Sequence, residues 1–192
     1  VDGGGHPGQR AVMATKKAAK KTAHKAAKRP ASVSSTTARW RRATAADRRT
    51  IIRLSLALFR EDPGTFELTA RDVGRTLTLL DHEPTRGCAV VVEDEVDGRV
   101  GVVGYALLCT FVSNELRGEI VTVDELYVVD AVRSRGLGSG LVRQLVEESA
   151  FFPKAVGFEL EVTPTNTRAR ALYDRLGFAP RKNATLRLLR PR

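Results

Sequence analysis

Residues 130–141 read DAVRSRGLGSGL, with glycines alternating at 136, 138 and 140, Arg133 and Arg135 before them, and Leu137, Leu141, Leu145 and Val146 following at helical spacing. Glycines that open a helix leave bare N–H groups converging on one point, where the helix dipole adds partial positive charge. Such a turn holds phosphate. Two further sets of residues could do chemistry beside it. Asp124 and Glu125, in DELYV (124–128), are neighbouring carboxylates, either of which could accept a proton. Tyr173 follows Asn166 by seven residues, and a phenol can donate or accept a proton.

The elements that would position these groups can be read from hydrophobic period and turn residues. ARWRRAT (38–44) reads as a short strand. Thr44 or Asp47 then caps a helix carrying Ile51, Leu54, Leu58 and Phe59. REDPGT ends it, and Thr69 with Asp72 forms a capping box for a second helix through Leu80. GCAVVVEDE and RVGVVGYALLCTFV are strands joined through VDGR, where Asp97–Gly98 is a hairpin signal. NELRG turns the chain into the strand EIVTVDELYVV, which runs into the glycine turn and its helix. AVGFELEV alternates as a strand, and a helix from about Thr167 carries Ala169, Leu172, Tyr173 and Leu176 before stopping at Gly177. TLRLLR (185–190) is expected to form a last strand. The expected order β-α-α-β-β-β-α-β-α-β is a mixed α/β layer: an antiparallel meander, then a βαβ crossover around the glycine turn.

The chain has 192 residues and a net charge of +10, but the charge is unevenly placed. Eleven basic residues and a single acid, Asp2, precede Asp47, whereas residues 47–192 balance 21 basic against 21 acidic side chains. Residues 1–36 are Gly-rich, then almost purely Lys, Ala and Thr, then a polar linker, with too little apolar surface to offset the entropy of ordering. They are expected to be a disordered basic tail ahead of a domain at 37–192, and Met13–Ala14 has the look of a translation start. Cys88 and Cys109 lie in apolar runs at a spacing that makes neither a metal knuckle nor a redox pair, so buried thiols in a reducing compartment are expected. No apolar run is long enough to span a bilayer, and no secretory h-region opens the chain. The expectation is a cytoplasmic protein with no membrane contact and no metal.

Three ligands compete for the glycine turn. A nucleoside-triphosphate loop needs Lys and Ser or Thr after its last glycine, and Gly140 is followed by Leu141 and Val142. A dinucleotide loop is a closer rival, with Glu159 or Glu161 available as the distal acid. Its glycines, however, should span GxGxxG, and only two strands remain downstream. The third is the pyrophosphate of an acyl-CoA. Here Arg133-Ser-Arg-Gly136-Leu-Gly138 resembles the signature loop of the GNAT superfamily of acyl-CoA-dependent N-acetyltransferases. DELYV resembles that family's cofactor strand, NTRARALYDRLGF (166–178) its second cofactor element, and RRATAADRRTIIRL its opening. The resemblance covers residues 38–190.

It implies an α/β GNAT fold: a mixed, mostly antiparallel sheet with a central βαβ cofactor unit and helices on both faces. It also implies acetyl transfer from acetyl-CoA to a primary amine by direct attack, without an acyl-enzyme. By the same resemblance, Leu126, Tyr127 and Val128 border the acetyl-pantetheine arm, and the N–H of Val128 serves as oxyanion donor. Arg133, Ser134, Arg135, Gly136, Leu137, Gly138 and Ser139 surround the pyrophosphate. Asn166 meets the pantetheine or caps its helix, and Tyr173 is the general acid unless it merely packs in the core. For the base, strand alternation is expected to place Asp124 and Glu125 on opposite faces, Glu125 sharing a face with Val123 and Tyr127. Asp124 matches a substrate-contacting carboxylate of the family's diamine acetyltransferases, with Glu125 its rival.

The acceptor stays open. Glu61, Asp62, Asp81, Glu83 and Glu115 would suit a cationic amine, but they are mixed with Arg53, Arg60, Arg86 and Arg117. A small molecule (polyamine, aminoglycoside, amino-acid derivative) or a protein amine would all fit, and a homodimer is compatible. His82, at a helix end, reads as a surface residue. The tail resembles linker-histone tails, and its seven cations in residues 16–29 could bind DNA phosphates nonspecifically through residues 13–29 and so place the protein at the nucleoid. The competing class is therefore a nucleic-acid-associated protein whose acyl-CoA-binding body is a sensor or scaffold.

Overall fold

A computed structural model describes residues 38–182 and 185–189. The basic tail, and whatever it does with nucleic acid, lies outside the described residues.

Five strands form one sheet in the order β1 (Trp40–Arg42), β2 (Gly87–Val96), β3 (Arg99–Ser113), β4 (Gly118–Val128) and β5 (Ala155–Leu160). Every pairing is antiparallel except β4 with β5, which is parallel and enclosed by the crossover helix α3 (Leu137–Val146). The meander follows from its turns. Val96 pairs with Arg99, leaving Asp97–Gly98 as the two-residue loop anticipated from the sequence. Helix α1 (Arg48–Glu61) buries Ile51, Leu54 and Ser55, and α2 (Ala70–His82) buries Val73, Leu77 and Leu80. Thr69 and Asp72 cap α2 reciprocally, as their spacing indicated, and His82 is exposed at its last position.

The sheet is covered on both faces. On one, α3 packs Leu137, Leu141 and Leu145 against Val90, Val92, Leu108, Val121 and Val123. On the other, α1 and α2 pack against Val91, Tyr105, Leu107 and Tyr127. Cys88 lies opposite Leu108 and Cys109 opposite Gly87, so the two thiols sit one step apart in the ladder and point to opposite faces. Both are free, and burial pushes the Cys88 thiol up to about 11.

Two expectations from the sequence are corrected. Residues 185–189 carry no strand: Leu186 and Leu188 are exposed, and Arg187 reaches Glu161 at 3.8 Å. An alternating pattern makes a strand only where a neighbouring edge pairs with it. Second, Glu125 does not share a face with Val123: it lies with Tyr105 and Tyr127 on the other side of the sheet. Leu107 pairs with Glu125 but Leu108 with Val123, so Asp124 is the extra residue of a β-bulge. The bulge resets the alternation, which is why Val123 packs in the α3-side core and Tyr127, four residues on, in the α1–α2 core.

Candidate active site

The local fold that builds the site is a separation of strands. The β4–β5 ladder runs from Glu119–Ala155 to Val123–Leu160 and stops there, whereas β4 stays paired to β3 as far as Val128. From Asp124 onward β4 therefore has one open edge. The N–H of Val129 goes to Val103 on the β3 side at 2.9 Å, so strand alternation turns the N–H groups of Leu126 and Val128 to the open side.

A cleft of about 780 Å³ follows that edge. One wall is Leu126, Tyr127 and Val128 of β4; the end is Ser134, Gly136, Leu137, Gly138 and Ser139 of the glycine turn. The opposite wall is α4 (Thr167–Arg175), which contributes Arg168, Leu172 and Tyr173, together with its N-cap Asn166. Across the mouth, Thr163 Oγ1 donates to Asp62 at 3.0 Å, joining the β5–α4 connection to the end of α1.

The glycine turn has the geometry an anionic group requires. Gly136 is the N-cap of α3 with φ +85°, a conformation that strains any residue with a Cβ. It starts the helix with the N–H groups of Leu137, Gly138 and Ser139 lacking intrahelical partners. At Gly138 a Cβ would stand 3.2 Å from Leu172 Cδ2, so its absence lets α4 close on the turn. These features fit a phosphate-bearing ligand extended along β4. Among the described residues no group of three or more His, Cys, Asp or Glu is arranged to hold a metal ion.

Both motif arginines have protein partners. Arg133 lines the cleft but is fully engaged: Nε donates to the Val128 carbonyl at 2.8 Å, Nη2 to Glu61 at 2.6 Å and Nη1 to Asp130 at 3.3 Å, and the guanidinium lies 5.2 Å over the Tyr127 ring. Arg135 is not part of the cleft lining. It reaches Asp94 and the Glu95 carbonyl, each at 3.3 Å. Several acids considered for a cationic acceptor are likewise engaged. Glu61 takes the Tyr127 hydroxyl at 2.7 Å as well as Arg133, and these bonds hold its carboxyl below the usual range. Asp81 pairs with Arg48, and Glu83 with Arg86.

Asn166 caps α4 by accepting the Ala169 N–H at 3.1 Å, leaving its amide NH2 without a protein partner. Tyr173 is half-buried on a helix that buries no residue completely, with its ring edge-on to Phe178 at 5.6 Å. Its hydroxyl makes no protein hydrogen bond among the described residues, and burial pushes its pKa up, which keeps the phenol protonated.

Asp124 and Glu125 lie where β4 leaves β5, just beyond the lined cleft. The Glu125 carboxylate accepts from Ser55 Oγ at 3.1 Å and from the buried Tyr105 hydroxyl. Burial raises its pKa above that of an ordinary glutamate, the two hydroxyls oppose that, and Asp124 adds to it. Asp124 is also raised, by desolvation first and by Glu161 second, with Arg187 opposing. It keeps solvent access and has no hydrogen-bond partner among the described residues. Ser55 and Tyr105 were not anticipated from the sequence. Ser55 left a signal, a lone hydroxyl on the Ile51–Leu54–Leu58 stripe of α1; Tyr105, inside an apolar strand, left none.

No curated protein matches the chain. Among solved structures, a possible acetyltransferase from Clostridium difficile 630 is 21% identical, covers 81% of this chain and 99% of its own, and superposes with TM-score 0.67. A ribosomal-protein-alanine N-acetyltransferase from Brucella melitensis biovar Abortus 2308 is 16% identical with TM-score 0.59, over 80% of this chain and all of its own. The glucosamine-6-phosphate N-acetyltransferase of Arabidopsis thaliana is 15% identical with TM-score 0.57, over 80% and 99%. At these identities the likeness is one of fold. The acetyltransferase (GNAT) family matches residues 53–178, from within α1 to just beyond α4 and so across every wall of the cleft; the chain belongs to that family, and its chemistry is acetyl transfer.

Proposed function

We propose that the protein is an N-acetyltransferase that moves the acetyl group of acetyl-CoA to a primary amine by direct attack. One observation carries this reading: the free edge of β4 and the unpartnered Tyr173 hydroxyl line the same cleft, which ends on the glycine turn. Acetyl-CoA supplies the activated thioester carbonyl. The N–H groups of Leu137, Gly138 and Ser139 suit its pyrophosphate. Leu126, Tyr127, Val128 and the free amide of Asn166 suit its pantetheine arm. The open N–H groups of Leu126 and Val128 are placed to take hydrogen bonds to a carbonyl oxygen as its charge grows. Asp124, raised toward proton acceptance and open to solvent, receives the acceptor's proton, with Glu125 next to it in the chain. Tyr173 gives its proton to the departing sulfur. The acceptor is a small-molecule or protein amine.

The test is thiol release by the full chain with acetyl-CoA and a panel of polyamines, aminoglycosides, amino-acid derivatives and peptides. At least one class should release free thiol and gain an acetyl mass, and Tyr173→Phe should slow that release. Binding of acetyl-CoA with no release from any amine, and no difference in Tyr173→Phe, would overturn the reading in favour of a binding-only body.

A further inference from the structure

We propose that Arg168 of α4, and neither arginine of the glycine-turn motif, is the side chain that pairs with the phosphate charge of the acyl-CoA; this rests on the acetyl-CoA reading above. Three arginines line the cleft: Arg133, Arg168 and Arg175. Arg133 holds Glu61, Asp130 and the Val128 carbonyl, so turning to a ligand would break an ion pair and release the end of β4. Arg135 is bound to Asp94 away from the cleft. Arg168 differs from both. Its only side-chain hydrogen bond among the described residues runs from Nη2 to Ser134 Oγ at 3.0 Å, a neutral acceptor within the glycine turn itself, and it makes no ion pair.

That contact sets the geometry. Ser134 adopts φ +66° at the bend of the turn, and Arg168 reaches it across the cleft from the first turn of α4. The guanidinium thus lies against the loop whose N–H groups face an anion, with no carboxylate to neutralise it. Exchanging a serine hydroxyl for a phosphate oxygen replaces a neutral hydrogen bond by a charge-assisted one and costs no ion pair. Arg175 is also without a carboxylate partner, but seven residues further along the helix it sits roughly 10 Å away along the axis. The charge at the turn therefore comes from α4.

CoA carries phosphate in two places, the pyrophosphate and the 3′-phosphate, and a guanidinium recognises either. The experiment is calorimetric titration of CoA and of dephospho-CoA into the full chain, its Arg168→Ala and Arg168→Lys variants, and Arg170→Ala, which removes the same charge from the same helix outside the cleft lining. CoA affinity should fall roughly tenfold in Arg168→Ala, recover in part in Arg168→Lys and stay within about twofold in Arg170→Ala. The Arg168→Ala deficit should shrink as salt rises. A deficit that persists with dephospho-CoA supports contact with the pyrophosphate, and one confined to CoA supports contact with the 3′-phosphate. If the unaltered chain binds CoA and Arg168→Ala binds it equally well, or Arg170→Ala loses as much, the proposal is overturned while the acetyl-CoA reading stands. If the unaltered chain binds neither compound, both fall.

Discussion

Arg133 Nη2 lies 2.6 Å from a carboxylate oxygen of Glu61, so the residue that heads the glycine-turn motif joins the last turn of α1 to the open end of β4. The same guanidinium caps the Val128 carbonyl and covers the Tyr127 ring, whose hydroxyl returns to Glu61. The network shapes the strand edge along which an acyl chain would lie.

Replacing Arg133 by Lys should therefore fail to restore what Ala removes. An ammonium is a point donor and cannot hold a carbonyl, two carboxylates and a ring face together. Both variants should lose about 1–2 kcal/mol of stability in denaturant titrations and bind acetyl-CoA more weakly. A Lys variant with unaltered stability and affinity would show that the fork geometry is irrelevant and only the charge counts.

Glu125 and Asp124 adjoin at the bulge, and both are shifted toward the protonated form. If these carboxylates take the acceptor's proton, the rate should rise with pH through a limb displaced upward from the ordinary value of the carboxyl that titrates. Asp124→Asn should lower kcat by about 10²–10⁴ and remove that acidic limb. Glu125→Gln keeps an oxygen for Ser55 and Tyr105. Because a raised carboxyl pKa disfavours the folded state once the group ionises, this variant should be as stable as the parent or more so at neutral pH. The acidic limb should keep its place in this variant, since burial and Glu161, not Glu125, raise the Asp124 carboxyl. A pH–rate profile identical to the parent's in both variants would remove the pair from proton transfer.

The fold was legible where information is local. The Thr69–Asp72 box, the Asp97–Gly98 turn and the Ile51–Leu54–Leu58 stripe each specify their element within a few residues. What failed depends on distant partners. Nothing in VTVDELYV announces that Asp124 is an extra residue, because a bulge is a relation to the β3 register. The glycine-turn motif also gives no sign of the carboxylates that Arg133 and Arg135 hold, Glu61 and Asp94, which lie 72 and 41 positions away in the chain. Arg168, one of two arginines alternating with small residues in TRARA (167–171), carries nothing local that marks it. TLRLLR alternates as a strand should, but a strand is completed by its neighbour. Gly136, Gly138 and Tyr173 stand out in the sequence because their spacing is itself the constraint, and all three line the cleft.

Asp47 links stability to acid. Its side chain is 8% exposed and pairs with Arg41 at 2.8 and 3.1 Å, while the Thr44 N–H and hydroxyl donate to the same carboxylate. These bonds hold its pKa at about 2, below the ordinary value of 3.8. A depressed acid contributes fully above the unfolded value and loses that contribution as pH falls toward the folded one. The window is therefore about pH 4 down to 2. Asp47→Asn should cost roughly 1–2 kcal/mol at neutral pH, the figure being moderated by the partial exposure of Arg41. The gap to the parent should close across that window in unfolding curves; a gap that persists at pH 2 would assign the effect to the Thr44 cap alone.

Gln144 is nearly buried on α3 and treats β1 as a strand partner would: its Oε1 accepts the Trp40 N–H at 2.8 Å and its Nε2 donates to the Trp40 carbonyl at 3.1 Å. The Trp40 indole in turn donates to the carbonyl of Leu137, the first residue of α3, at 2.9 Å. The helix that opens on the glycine turn is thus tied to β1 at both ends. Gln144→Leu keeps the volume but strands two buried backbone groups, and should cost about 2–4 kcal/mol. Gln144→Glu can still accept from the N–H, but it meets the carbonyl with a second oxygen unless protonated. Its buried carboxyl should carry a raised pKa, so its stability should improve on acidification, opposite in sign to the Asp47 effect. Unfolding of the two Gln144 variants at pH 5 and pH 8 separates these outcomes: a Glu variant insensitive to pH would mean that the side chain has swung out to solvent and the amide was not holding the helix to β1.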